Sequence, residues 1–335
     1  MAKLTLSNIG PMSNLIINGD FNIWQRGTSF TVTTATQLYT SDRWRVNIVG
    51  WAEYTASRVT DVPTFAESGH TSNYSLQLDC TTIDATIGAG DKTTVKQIVE
   101  GYNFQSLIGK ACTLSFWVKS TKTGTFCVAF QNGSANRSYV IEYTVSVADT
   151  WEKKTISITF NEPTGTWATD STGGVYIFWS IAAGSTFQTT ADAWQTGNYL
   201  ATENQVNGCD STDNNFLLAQ VKLEQGQVAT PWKARSYAEE FQLCQRYYQL
   251  MPSGFIDGYT LATYYVTNRV VTTPFRAAPT ITAETTGTLS NVSAYNFVLV
   301  GTPSTIFDTF EHLVRANADG RCYAIGYRWH VAAEL

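Results

Sequence analysis

The chain has 335 residues, enough for a large core and more than one folding unit. Its net charge of −5, with no run of five or more Lys/Arg, argues against a nucleic-acid partner. No apolar stretch approaches the roughly 18 residues that span a membrane, so no membrane insertion is expected. The opening "MAKLTLSNIG" lacks the apolar core of a secretory signal, which predicts a chain made and first folded in a cytoplasm. Hydrophobic residues at 43% mark it as globular, while charged residues at 15% fall below the roughly 25% usual for soluble domains. Thr, Ser, Asn and Gln take their place beside 13% aromatics, a mixture suited to a pleated, half-buried surface.

Residues 1–13 are short and mixed and contain the breaker pair Gly10-Pro11, so they read as an N-terminal arm. From 14 to 234 the dominant signal is alternation with period two. "SLQLDC" places Leu76, Leu78 and Cys80 on one face, and "TLSFWVK" does the same for Leu114, Phe116 and Val118. "TISITF" sets Ile156, Ile158 and Phe160 against Thr155, Ser157 and Thr159, and "LAQVKLEQG" continues through Ala219, Val221 and Leu223. One-faced strands must bury that face against a second sheet, which predicts an all-β antiparallel sandwich.

The pattern changes over 235–251, where Ser236 and Glu239 form a capping-box signature and Tyr237, Phe241, Cys244 and Tyr248 a helical stripe. Pro252 and Gly254 are expected to stop this connecting helix. Strand patterning returns over 252–335, a small C-terminal β domain in which Tyr323, Ile325, Tyr327 and Trp329 share a face. A unit of about 80 residues covers such a face poorly by itself, so a contact with other subunits is expected.

Chemistry is sparse. In "GAGDKTT", Asp91 stands between glycine and lysine, which breaks the phosphate-loop spacing and leaves a surface turn. Three histidines, His70, His312 and His330, and six cysteines without a C-x-x-C pair offer no zinc set, and the thiols are expected to be buried and unbridged. Neither H-E-x-x-H nor G-x-S-x-G occurs. Carboxylate pairs of the glycosidase kind come together only in the fold; Asp42, Glu53, Glu142, Glu162 and Asp170 are available, but among 27 acids some pairing is inevitable, and the chain is not expected to be an enzyme. Trp167 in a Gly/Thr loop, Trp194 and Tyr199 in "ADAWQTGNYL", and Trp51 beside a glycine are candidates for a sugar platform, on which a pyranose stacks while amides bind its hydroxyls. Packing in the core or at a subunit contact is the competing reading.

The stretch "NLIINGDFNIWQRGTSFT" followed by "YTSDRWRV" resembles the opening of carbohydrate-binding-module-like domains in tail-fibre and other virion appendage proteins of tailed bacteriophages. "LIGKACTLSFWVKST" is similar to the mid-domain strand of that family, and "FLLAQVKLEQGQVATPWKARSYAEEFQLCQRYYQ" to its closing strand and following helix. "FRAAPTITAE" and "AAEL" resemble the small β domain that often comes next, and "MAKLTLSNIG" resembles short virion-docking segments. The resemblance implies a jelly-roll sandwich on a phage particle, most often a trimer. Its partners would be other virion proteins and host surface glycan, bound without turnover. Tail fibre is the leading role; head fibre or capsid decoration and, last, polysaccharide depolymerase are the alternatives. Modules of this shape often hold a calcium ion, for which Asp20 and Glu224 are the available carboxylates, but Ala219 and Gln220 stand where an acidic pair would help. Asn18, Gly19, Asp20, Trp24, Arg26, Asp42, Arg43 and Trp44 then form a structural corner. Gly19 would supply a left-handed turn, and Phe21 and Ile23 would share one face of a strand with Trp24 on the other. The arginines would stack on Trp24 and Trp44 or pair with Asp20 and Asp42.

Overall fold

A computed structural model describes residues 14–161, 164–260, 265–285, 288–290, 292–299 and 307–335. The expected arm 1–13 and Glu162 lie outside them, as do the side chains of Cys322, Tyr323, Ile325 and Tyr327. The chain divides into two compact units, the first ending at Arg235 and the second running Ser236–Leu335.

The first unit is an antiparallel β-sandwich of jelly-roll type. Its strands are β1 (Ser29–Val32), β2 (Gln37–Tyr39), β3 (Trp44–Val49), β4 (Glu53–Val59), β5 (Ser75–Thr82), β6 (Lys92–Glu100) and β7 (Ala111–Ser120). There follow β8 (Gly124–Gln131), β9 (Arg137–Val145), β10 (Glu152–Thr159), β11 (Gly173–Ala183), β12 (Trp194–Thr196) and β13 (Asn215–Gln225). One sheet has six strands in the order β1-β4-β5-β13-β7-β10, the other seven in the order β12-β9-β8-β11-β6-β3-β2. The chain passes repeatedly from one sheet to the other, so the two inner faces close a single core.

That core follows the alternation. Ile156, Ile158 and Phe160 are buried while Thr155, Ser157 and Thr159 are exposed. Phe116, Trp179, Trp44 and Phe21 meet in series through the centre, edge-to-face or tilted, with ring centroids 5.7, 5.4 and 4.8 Å apart in turn. Closing strand β13 departs from the expectation. Phe216 and Leu218 face the core, and so do Val221 and Leu223, but Ala219 does not. A bulge between Ala219 and Lys222, with Gln220 at φ 48°, shifts the alternation by one residue. The bulge lets β13 pair with the opening segment: Val221 N–H donates to Gly19 O at 2.8 Å, and Asn14 Nδ2 to Val221 O at 2.9 Å.

The opening segment itself is a correction. Residues 14–28 form turns and loop, not a strand, so no alternation governs them. Phe21, Ile23 and Trp24 are all buried. The non-glycine left-handed positions are Asn18 at φ 56° and Phe21 at φ 51°. Gly19 is required for space instead: a Cβ there would lie 2.1 Å from Val221 O.

The second unit begins with a helix over Tyr237–Gln245, capped by Ser236 and Glu239 as their spacing predicts. It is shorter than expected. Pro252 and Gly254 do not end it; both lie inside the next strand, β14 (Tyr248–Thr260). Backbone bonds from Arg276 N–H to Arg246 O at 3.1 Å and from Ala333 N–H to Tyr247 O at 2.7 Å draw the chain into the sheet first. β15 (Tyr265–Phe275), β16 (Thr280–Thr285), β17 (Thr288–Ser290), β18 (Val292–Leu299), β19 (Phe307–Ala316) and β20 (Gly320–Ala332) complete the unit. β20 pairs with β14, β16 and β17, and β19 lies between β15 and β18. Trp329 is buried within the single chain, so it offers no free aromatic face to another subunit.

Candidate functional site

The corner residues build architecture. Asn18 is its hub: Nδ2 donates to Ile23 O at 2.8 Å, Ser41 Oγ at 2.7 Å and Asp42 O at 3.0 Å, and Oδ1 accepts from Ile23 N–H at 3.0 Å. Trp24 and Trp44 donate their indole N–H groups to Phe21 O at 2.6 Å and Asn18 O at 3.0 Å. Arg26 pairs with Asp42 at 3.8 Å and lies over the Tyr39 ring, not over a tryptophan. Arg43 is buried and donates to Ile98 O at 2.7 Å.

Asp20 and Glu224 serve separate networks. Asp20 accepts from Ser72 Oγ at 2.6 Å and Asn22 Nδ2 at 3.2 Å, with His70 Nε2 3.0 Å away. Glu224 accepts from Thr230 N–H at 2.8 Å and Oγ1 at 2.6 Å, with Lys222 Nζ at 3.0 Å. Gln220 donates its amide to Ser72 and Ser68 at 2.9 and 3.1 Å, so a donor occupies the ground where a hard cation needs oxygens. Among the described residues no group of three or more His, Cys, Asp or Glu could hold a metal. The calcium expectation does not fit these side chains.

The four aromatic candidates do not converge. Trp167 and Trp194 meet edge to face, centroids 5.4 Å apart at 81°. Trp167 also lies 5.4 Å from Phe104, and Trp194 lies 5.2 Å from Tyr139 and 6.4 Å from Phe160. Both are half-buried against the main core. Trp51 stands apart, 80% exposed, its backbone N–H donating to Asp84 Oδ2 at 3.1 Å. Tyr199 belongs to a different cluster on the opposite side of the seven-stranded sheet.

That cluster marks the feature sequence reasoning missed. The segment following β11 returns across the outer face of the seven-stranded sheet. Leu200 and Ala201 bury Cys127, Ala129, Val140 and Phe178 there, with Phe187 and Tyr199 packed at the margin. Polar outer-face groups pin the segment down. Ser180 Oγ donates to Leu200 O at 2.7 Å, Ser138 Oγ accepts from Tyr199 N–H at 3.0 Å, and Thr202 N–H donates to Cys127 Sγ at 3.4 Å.

Between this segment and the sheet lies a cleft of about 730 Å³, lined by Glu142, Ser185, Gln188, Thr189, Thr190, Ala191, Thr202, Glu203 and Asn204. Glu142 accepts from Thr202 Oγ1 and from Asn204 Nδ2, the latter at 3.0 Å, which fixes one wall. Gln188 is fixed by its bond to Ala183 O at 2.9 Å. A second cavity of about 370 Å³ shares Ser185 and Gln188 and extends to Ala183 and Gly184. The lining offers hydroxyls, amides and carboxylate oxygens, the groups that pair with sugar hydroxyls, and contains no histidine, cysteine or lysine. A signal was present in the sequence: residues 184–208 form a long Thr/Asn/Gln-rich connection, and such lengths are commonly functional.

These features define a two-sheet β-sandwich with a polar cleft on one outer face. No family model and no curated protein matches the chain. Among solved structures it is similar to the enzymatically active domain of tailspike protein 4 from bacteriophage CBA120, with TM-score 0.32, 13% identity and coverage of 64% of this chain and 21% of that one. It is likewise similar to a CBM4 structure, with TM-score 0.32, 14% identity and coverage of 62% and 98%. The CBM22-1 xylan-binding domain from Paenibacillus barcinonensis gives TM-score 0.29, 11% identity and coverage of 59% and 99%. The chain spans about a fifth of the length of the tailspike structure.

Proposed function

We propose that the protein is a non-enzymatic component of a bacteriophage particle, a tail fibre that attaches as a homotrimer to host surface glycan. The observation that carries glycan binding is the polar cleft, whose walls are held open by internal hydrogen bonds and whose groups match sugar hydroxyls. The phage setting, the trimer and the attachment role take their support from the ordered sequence resemblance along the chain. Attachment without turnover takes its support from the same resemblance.

A second reading, a head fibre or capsid decoration with a purely structural role, is favoured by Trp51, whose exposed ring suits burial against another virion protein. Binding of the full-length protein to immobilised host-surface polysaccharide separates the two. A tail fibre binds saturably, and Gln188→Ala and Asn204→Ala weaken it about tenfold each, the loss of one or two hydrogen bonds. A structural connector leaves the polysaccharide unbound.

A further inference from the structure

Beside the covering segment, cations and rings stand in one row across the outer face of the seven-stranded sheet. Tyr39 is the cross-strand partner of Arg45, Arg45 of Lys96, and Lys96 of Phe178. The Lys96 ammonium lies 5.6 Å from the Tyr176 ring centroid and 5.3 Å from that of Phe178. Lys92, on the same face of β6, sits 4.2 Å over Phe187. Lys96 is only 9% exposed, yet neither it nor Lys92 has an ion pair or hydrogen bond among the described residues. Thr94, between them on that face, is fully buried, and its Oγ1 has no hydrogen-bond partner among the described residues.

Folding gains little from this row. Like charges directly opposite on neighbouring strands repel, and a buried unpaired ammonium or hydroxyl is costly. The rings offset part of the cost, but a methionine at 96 would give the same packing without it. An anion would satisfy Lys96 and the Thr94 hydroxyl together, beside the Arg45 guanidinium, which already donates to Gln37 and lies over Tyr39. The row is also continuous with the cleft: Lys92 is the cross-strand partner of Ala183, which lines the cavity that shares Ser185 and Gln188 with the cleft. A polymer lying in the cleft would run from there onto Lys92 and Lys96.

We infer that this row is a subsite for a carboxylate-bearing sugar, a uronic acid residue within a polysaccharide, with the carboxylate held by Lys96 and Arg45 and hydrogen-bonded by Thr94. The subsite rests on the glycan-binding reading and adds the charge of the ligand. Burial first, then the neighbouring charges of Arg45 and Lys92, pushes the Lys96 ammonium down to about 7, so binding weakens as pH rises through neutrality. Tyr176 and Phe178 face it from β11 and Arg45 from β3, and among the described residues no carboxylate acts on it.

The test is calorimetric titration of the full-length protein with trigalacturonate, with its carboxyl-reduced trimer and with inorganic phosphate. Trigalacturonate binds at about pH 6, loses about tenfold at about pH 9, and loses about tenfold in Lys96→Met, while the reduced trimer is indifferent to both changes. Equal affinity of the native protein for the two trimers overturns the subsite and leaves glycan binding standing; this comparison needs no variant to fold. An unchanged affinity for trigalacturonate in Lys96→Met also overturns it. Phosphate bound as tightly as trigalacturonate makes the row a free-ion site and removes the sugar. Binding of neither trimer overturns the subsite and counts against the glycan reading as well.

Discussion

Gly19 shows how little of the corner's physics a residue type reveals. The Asn18-Gly19 pair reads as a turn, and a turn is present, but the left-handed angle falls on Asn18. Its side chain makes that conformation tolerable by bonding Ile23, Ser41 and Asp42. Glycine is needed next to it because β13 passes so close that a methyl group would meet Val221 O at 2.1 Å. Contacts between residues some 200 positions apart leave no local mark in the sequence. Gly19→Ala is therefore expected to destabilise the sandwich by about 3 kcal/mol, read from the shift of its urea midpoint. A shift below about 0.5 kcal/mol, the usual range for a surface change, would show that the corner relaxes freely. The tryptophans illustrate the same gap. Trp167 lies in a loop as its neighbours suggest, but Trp194 begins β12, and only the fold shows the two rings meeting edge to face.

At the scale of elements, alternation placed the strands well where the pairing was regular, as in β10 against β7, and failed where backbone geometry intervened. The β13 bulge moves Ala219 off the core face, and the helix yields to β14 before its expected stop at Pro252. Strand β6 holds the less legible half of the site. In "KTTVKQIVE" the lysines look like ordinary outward positions, and only cross-strand register sets Lys96 directly beside Arg45. Its consequence for stability has a definite sign. Lys96 is depressed to about 7 in the folded chain, against roughly 10.4 when unfolded. Between those values the unfolded chain holds the additional proton, so this group makes stability rise with pH from about 7 to about 10 and adds no slope below that window. Thermal unfolding across this range is expected to show a rise in the native protein that Lys96→Met lacks. Identical slopes in the two proteins would mean that Lys96 titrates as an exposed lysine.

For the whole molecule, composition and period two were enough to indicate an all-β sandwich followed by a smaller β unit. The long polar connection was visible in the sequence, but its return over a sheet face and the closing of the cleft by the distant Glu142 were not. The trimer has support only from sequence resemblance, since Trp329 is already buried within one chain. Light scattering on the purified protein should give three times the 37.0 kDa chain mass, and a monomer would remove the trimer from the proposal.

The central claim is attachment to glycan without turnover. Repeated cycles of the full-length protein over one immobilised host-polysaccharide surface, followed by surface plasmon resonance, test it most directly. The account predicts saturable binding, weakened in Gln188→Ala, with a surface capacity that stays constant from cycle to cycle. Absence of binding, or a capacity that falls as the polysaccharide is cut away, would contradict it.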